Sequence, residues 1–164
     1  MNNSYVLVTG ASSGIGLEIS KCFAKKGFNL LLTARSEERL SQLSKEIQLE
    51  FNIKVDFISC DLCEKESPFK ISDYCNSKNY DVSILVNNAG FANPDRFHET
   101  SMEDEEKFIR VLGTSVISLT KVFIKKMLEK KHGRIMIVSS VAAFAPPSSI
   151  QSLYGPIKTF MNRF

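Results

Sequence analysis

Val6–Gly16 reads VLVTGASSGIG and places an apolar strand, a turn with three glycines and the start of a helix within one short stretch. Gly10, Gly14 and Gly16 let the backbone adopt turn angles that a Cβ forbids and approach an anion closely. The helix behind them directs free N–H groups and its positive end at the same point. Because the cluster directly follows Tyr5-Val6-Leu7-Val8 and precedes an apolar-periodic helix, it predicts a cradle for the phosphates of a dinucleotide, with Ser12, Ser13 and Ile15 in the same turn. Without that context it would be only a structural turn.

Outward from this stretch, apolar runs and amphipathic segments alternate to the end of the chain. That is the pattern of crossover units building a parallel sheet with helices on both faces. The periodicity predicts strands over 5–9, 28–33, 53–58, 81–86 and 133–139, and helices over 14–26, 36–51, 66–79, 101–131 and 152–164. Gly27 after Lys25 and Lys26 reads as a helix stop, Ser36 as a cap of the second helix, and Thr100 with Glu103 as a capping box for a long fourth one. Right-handed crossovers favour an α/β, doubly wound sheet of strand order 3-2-1-4-5 with its ligand crevice at the carboxyl ends of strands one and four.

The composition narrows the functional classes. The 164 residues, 43% of them hydrophobic, suit one domain over 1–164, and no repeat or linker interrupts them. A net charge of +3, from 21 basic and 18 acidic side chains, gives no expectation of nucleic-acid or membrane-surface binding. No run approaches the ~18–20 apolar residues of a membrane span, and the amino terminus has no signal-peptide core, so a cytoplasmic location is expected. Cys60 and Cys63 form a Cys-x-x-Cys pair, but no second pair accompanies them. With Cys22 and Cys75 they read as ordinary reduced thiols, with no metal site.

Several residues fall at the predicted crevice. The second strand ends in Thr33-Ala34-Arg35-Ser36, where an acid would grip a free ribose 2′-hydroxyl; Arg35 instead suits a 2′-phosphate and points to NADP in preference to NAD. The alternative for Arg35 is a plain surface charge. Asp61, followed by Leu62, is positioned either to meet the adenine edge or simply to form a turn. Asn88, Ala89 and Gly90 follow the fourth strand, where small residues leave room for a ribose. Tyr154 and Lys158 in YGPIK lie four apart on one helix face, so the ammonium can act on the phenol. The phenol, with a free pKa of about 10, then becomes a usable acid or base. Pro156 is tolerable only in a first helical turn, which selects Ser152 as N-cap. Ser140, or its neighbour Ser139, closes the fifth strand with a hydroxyl able to bond a substrate carbonyl or merely local backbone.

TGASSGIG, NNAG, a serine closing the fifth strand and YGPIK, in this order, resemble the short-chain dehydrogenase/reductase family over the whole chain. The resemblance implies a Rossmann-like fold, with Gly10 to Gly16 on the pyrophosphate, Asp61 on adenine, Asn88 to Gly90 on the nicotinamide-side ribose, and Arg35 as the selector of NADP. It further implies Ser140 as the residue positioning a carbonyl, Tyr154 as general acid/base, and Lys158 as both ribose ligand and activator of the tyrosine. The expected activity is NADP-dependent interconversion of a small-molecule carbonyl and an alcohol by hydride transfer.

Three features depart from the family pattern. Leu112 stands where the family carries an asparagine that holds a relay water, with Thr114 or Ser115 as substitutes only if the helix is rotated. The stretch from Ser140 to Tyr154, with Pro146 and Pro147, is one residue longer than is usual in the family, which leaves the choice between Ser139 and Ser140 open. The chain also stops six residues after Lys158, whereas the family continues through further strands and a lid. The resemblance implies a fold lacking its last strands, with the oligomeric state left open and a homo-oligomer expected at most where the fold is completed. The second functional expectation is therefore a truncated remnant without catalysis, or a nucleotide-binding or interaction module of the same family.

Overall fold

The computed structural model describes residues 3–92, 94–146, 148 and 152–164. Five strands, β1 (Ser4–Thr9), β2 (Asn29–Ala34), β3 (Val55–Ser59), β4 (Asp81–Asn87) and β5 (Arg134–Ile137), form one parallel sheet of order β3-β2-β1-β4-β5, as the crossover rule predicts. Register pairs Leu7 with Leu31 and Leu85, and Val6 with Leu30 and Ile84. Successive residues on a strand face opposite ways, so Leu7, Leu31 and Leu85 enter the core on one side and Val6, Leu30 and Ile84 the core on the other. Both faces are covered, which is why the central strands read as unbroken apolar runs rather than as alternation.

The helices are α1 (Gly14–Lys25), α2 (Glu37–Phe51), α3 (Ser67–Ser77), α4 (Met102–Ile109), α5 (Ser115–Glu129) and α6 (Tyr154–Arg163). Gly27 ends α1 at φ +79°, its N–H donating to the Ala24 carbonyl, and Ser36 caps α2 by accepting from the Arg39 N–H at 3.3 Å.

Three local expectations are corrected. The single helix expected over 101–131 is two helices joined by a π-helical turn at Arg110–Thr114. Gly113 lies inside that turn, and a Cβ there would sit 3.0 Å from Ile157 Cδ1, so the missing side chain is what admits α6 against it. The Thr100–Glu103 capping box does not form. Ser101 is the N-cap, accepting from the Asp104 N–H at 3.1 Å, while the Thr100 hydroxyl donates to the Phe97 carbonyl and to Glu105. Nor does Ser152 cap α6: it sits at φ +30°, Leu153 holds the cap position, and Pro156 still falls in the first turn. Pro147 lies outside the described residues.

β5 is shorter than the expected 133–139. It ends at Ile137, although the Val138 N–H still donates to the Asn87 carbonyl at 2.9 Å. Ser139 and Ser140 therefore stand beyond the strand, on the turn that leads toward α6.

Candidate active site

Two adjoining cavities lie at the carboxyl ends of the strands, one of about 430 Å³ and one of about 330 Å³, sharing Gly10, Ser13, Gly90 and Phe91 in their walls. The sequence-predicted residues divide between them. Ser12, Arg35, Asp61, Leu62 and Ala89 line the larger; Gly14, Ile15, Asn88, Tyr154 and Lys158 line the smaller. Gly16 and Ser140 line neither.

The glycine turn is shaped by close approach. Gly10, at φ +65°, has backbone of Ala89 2.8 Å from where its Cβ would be, and a Cβ on Gly16 would stand 2.3 Å from the Gly10 carbonyl oxygen. Gly14, at φ +55°, faces open space. Gly16 is thus required by the fold of the turn, and Gly14 by the conformation of the helix entry. Ser13 occupies the N-cap of α1 without a side-chain cap bond, and Gly14 and Ile15, at the start of that helix, line the smaller cavity.

Thr9, a residue the motif reading passed over, locks this turn to the end of β4. Its buried hydroxyl donates to the Val86 carbonyl at 3.2 Å and accepts from the Asn88 and Ala89 N–H groups, both at 3.0 Å. The Asn88 amide returns the brace, donating to the Thr9 carbonyl at 2.9 Å and the Gly10 carbonyl at 3.3 Å. A threonine ending a strand gives no signal of this role in sequence, since its partners are some eighty residues away.

Arg35 lines the larger cavity with a second guanidinium, Arg39, one turn into α2. The sequence could have offered it: a cap at Ser36 puts residue 39 on the first turn, near Arg35. Asp61 uses one carboxylate oxygen to accept from the Cys63 N–H at 2.9 Å, the turn-forming alternative, while still lining the cavity. Cys60 and Cys63 line it as free thiols, both pushed above the ordinary thiol pKa chiefly by burial, so they are held in the unreactive protonated form. Among the described residues no group of acidic, histidine or cysteine side chains is arranged to hold a metal ion.

In the smaller cavity, Lys158 is buried and donates from Nζ to the Val138 carbonyl at 2.9 Å. Its ammonium lies 5.7 Å from the centre of the Tyr154 ring. Burial lowers its pKa from the ordinary lysine value. Ser139 shares this wall and donates weakly to the Lys158 carbonyl at 3.4 Å, whereas the Ser140 hydroxyl accepts from the Ala142 N–H at 3.2 Å at the start of a short helical turn. Leu112 is also in the wall, 2% exposed, and Ser115 is turned away with its hydroxyl on the Val111 carbonyl. The helix has not rotated to substitute a hydroxyl for it.

Comparison with known proteins agrees with this geometry. A family model described as short chain dehydrogenase matches residues 4–164. The chain is 29% identical over 171 residues to a very-long-chain 3-oxoacyl-CoA reductase of Vanderwaltozyma polyspora, covering 98% of this chain and 48% of that protein. It is 32% identical over 161 residues to an NADP-dependent 3-hydroxy acid dehydrogenase of Escherichia coli, covering 97% and 62%. Among solved structures, a short-chain dehydrogenase from Sphingobium yanoikuyae in complex with NADPH superposes with a TM-score of 0.89 at 31% identity, covering 96% of this chain and 61% of that one. The chain belongs to the short-chain dehydrogenase family and is by family an oxidoreductase. It spans about half to three fifths of the length of these relatives. Among the described residues no helix is long and apolar enough to cross a membrane.

Proposed function

We propose that residues 1–164 form one NADP-binding domain that interconverts a carbonyl and an alcohol, with Tyr154 as the proton donor or acceptor. The observation that carries this reading is the smaller cavity, whose wall joins Gly14 of the glycine turn to Tyr154 and Lys158 of α6. Supporting the cofactor is the fit of the residues present. The glycine turn leaves a cradle beside the free N–H groups of α1, and two guanidiniums, Arg35 and Arg39, line the cavity next to it and suit a ribose phosphate. The complex with NADPH in the Sphingobium relative supports the same choice.

When bound, the nicotinamide would exchange a hydride with the substrate carbon. The chain's own part is positioning and proton handling. In the reducing direction the Tyr154 hydroxyl would give its proton to the carbonyl oxygen, and the resulting phenolate would recover a proton from solvent. The Lys158 ammonium, fastened by the Val138 carbonyl, stabilises that phenolate. Ser140, or Ser139 beside Lys158, orients the carbonyl by hydrogen bonding. The names of the relatives suggest 3-oxoacyl or 3-hydroxy acid substrates.

A second reading, cofactor binding without turnover, is favoured by Leu112, which brings no polar atom to the cavity wall. NADPH binding and oxidation with a 3-oxoacyl thioester, a 3-oxo acid and simple ketones decide between the two. Turnover that is lost in Tyr154→Phe and kept in Cys22→Ser, an exposed position on α1, supports the enzyme. Binding without turnover supports the second reading, and no binding overturns both.

A further inference from the structure

Glu105 is the one acidic side chain in α4 that is buried. Its neighbours Glu103 and Asp104 are exposed and face Lys107, while Glu105 is 2% exposed and has no cation among the described ion pairs. One oxygen, Oε1, accepts from the Thr100 hydroxyl at 2.5 Å and from the Ser152 hydroxyl. The other, Oε2, is buried without a hydrogen-bond partner among the described residues. A carboxyl so placed is a poor stabiliser, because an unpartnered buried oxygen costs stability that an apolar side chain of similar volume would not.

What the carboxyl does hold is the entry to α6. Ser152 lies two residues before Tyr154, in the left-handed region at φ +30°, where a non-glycine residue persists only if something fixes it. Three residues on from Glu105, on the same face of α4, Phe108 packs at 6.2 Å against the Tyr154 ring and stands edge-on to Phe91 at 5.3 Å. α4 therefore grips Tyr154 at two points, the backbone before it through Glu105 and the ring through Phe108.

We propose that Glu105 is a positioning residue for Tyr154, acting through Ser152. The inference rests on the reading of Tyr154 as the proton-transfer group, and its tests are chosen to fail independently of that reading. Glu105→Leu removes the carboxyl and fills the site, and Ser152→Ala cuts the same bond from the other side. Both should lower turnover at least tenfold through kcat while NADPH affinity stays within twofold, and the double variant should be no worse than either alone. Glu105→Leu should also match or exceed the parent in thermal stability, an opposite sign that a merely structural role does not give. Glu105→Gln, which keeps an oxygen acceptor, should recover most of the loss.

A second measurement does not need turnover. With carbon-13 in the tyrosine rings, the Tyr154 resonances, assigned through Tyr154→Phe, should shift in Glu105→Leu and Ser152→Ala while those of Tyr5, Tyr74 and Tyr80 stay in place. Unchanged Tyr154 resonances, or turnover that merely follows melting temperature, overturn the proposal. A wild-type protein that binds NADPH without turnover, yet shows the selective shift, overturns the catalytic reading and leaves the positioning role standing.

Discussion

β1 and β5 belong to the same sheet, with only β4 between them, yet they are built differently. Val6, Leu7 and Val8 of β1 are wholly buried between neighbouring strands and helices on both faces. β5 pairs only with β4 among the described residues and alternates exposed with half-buried positions. The same contrast runs through the site above them. The glycine turn is locked by backbone contacts and by Thr9 and Asn88, all among central elements. Tyr154 is held through α6, Glu105 and Phe108, at the edge. The proposed binding end is thus held by backbone contacts and buried hydrogen bonds, whereas the proposed reacting end depends on a few side-chain contacts.

The largest expected effect separates these ends directly. Tyr154→Phe deletes the proposed proton donor and little else, so turnover should fall about 10²- to 10⁴-fold while NADPH affinity, measured by fluorescence titration, stays within twofold. A comparable loss of affinity would mean that the two ends are not independent.

Next come the glycines, which test whether the binding end owes its rigidity to close contact or to backbone conformation. Gly16→Ala drives a Cβ into the Gly10 carbonyl and should cost about 1–3 kcal/mol in urea unfolding and abolish NADPH binding. Gly14→Ala meets no atom and should cost only the left-handed penalty of about 1–2 kcal/mol, with binding weakened rather than lost. Equal losses would remove the distinction drawn between the two positions.

The order of the strands was legible because burial on both faces leaves continuous apolar runs, which sequence records plainly. The glycine turn and the Tyr154–Lys158 pair were legible because each is contained in a few consecutive residues. The π turn was not, since Gly113 signals a close approach only once Ile157 is known to face it. Thr9 and Glu105 were invisible for the same reason: each acts through partners far along the chain, and an acid in a first helical turn ordinarily reads as a favourable surface charge. Ser152 was misread because a polar residue before a proline-bearing turn looks like a cap, whereas its φ of +30° and its bond to Glu105 turn it elsewhere.

Within the binding end, Arg35→Ala should weaken NADPH binding about tenfold to a hundredfold and leave NADH binding nearly unchanged, as expected for loss of charge-assisted bonds to a 2′-phosphate. Arg39→Ala should do the same to a smaller extent. Equal losses for both cofactors would refute the assignment of Arg35 to a 2′-phosphate.

The smallest effect probes the reacting end without any ligand. Burial lowers the Lys158 pKa below the ordinary lysine value, because the charged form carries a desolvation penalty in the folded chain that it does not carry in the unfolded one. As pH rises through the folded-state value toward the ordinary lysine value, the folded protein releases a proton that the unfolded chain keeps. The unfolded state then binds more protons, and stability rises with pH across that window. Tyr74, Tyr80 and Cys75, all raised by burial, titrate in the opposite sense, so the test is a difference. Urea unfolding of the parent minus that of Lys158→Met should become more favourable to the parent from neutral pH toward pH ~10. A flat difference would mean that the bond from Nζ to the Val138 carbonyl compensates burial fully, making the edge of the site as well satisfied as its centre.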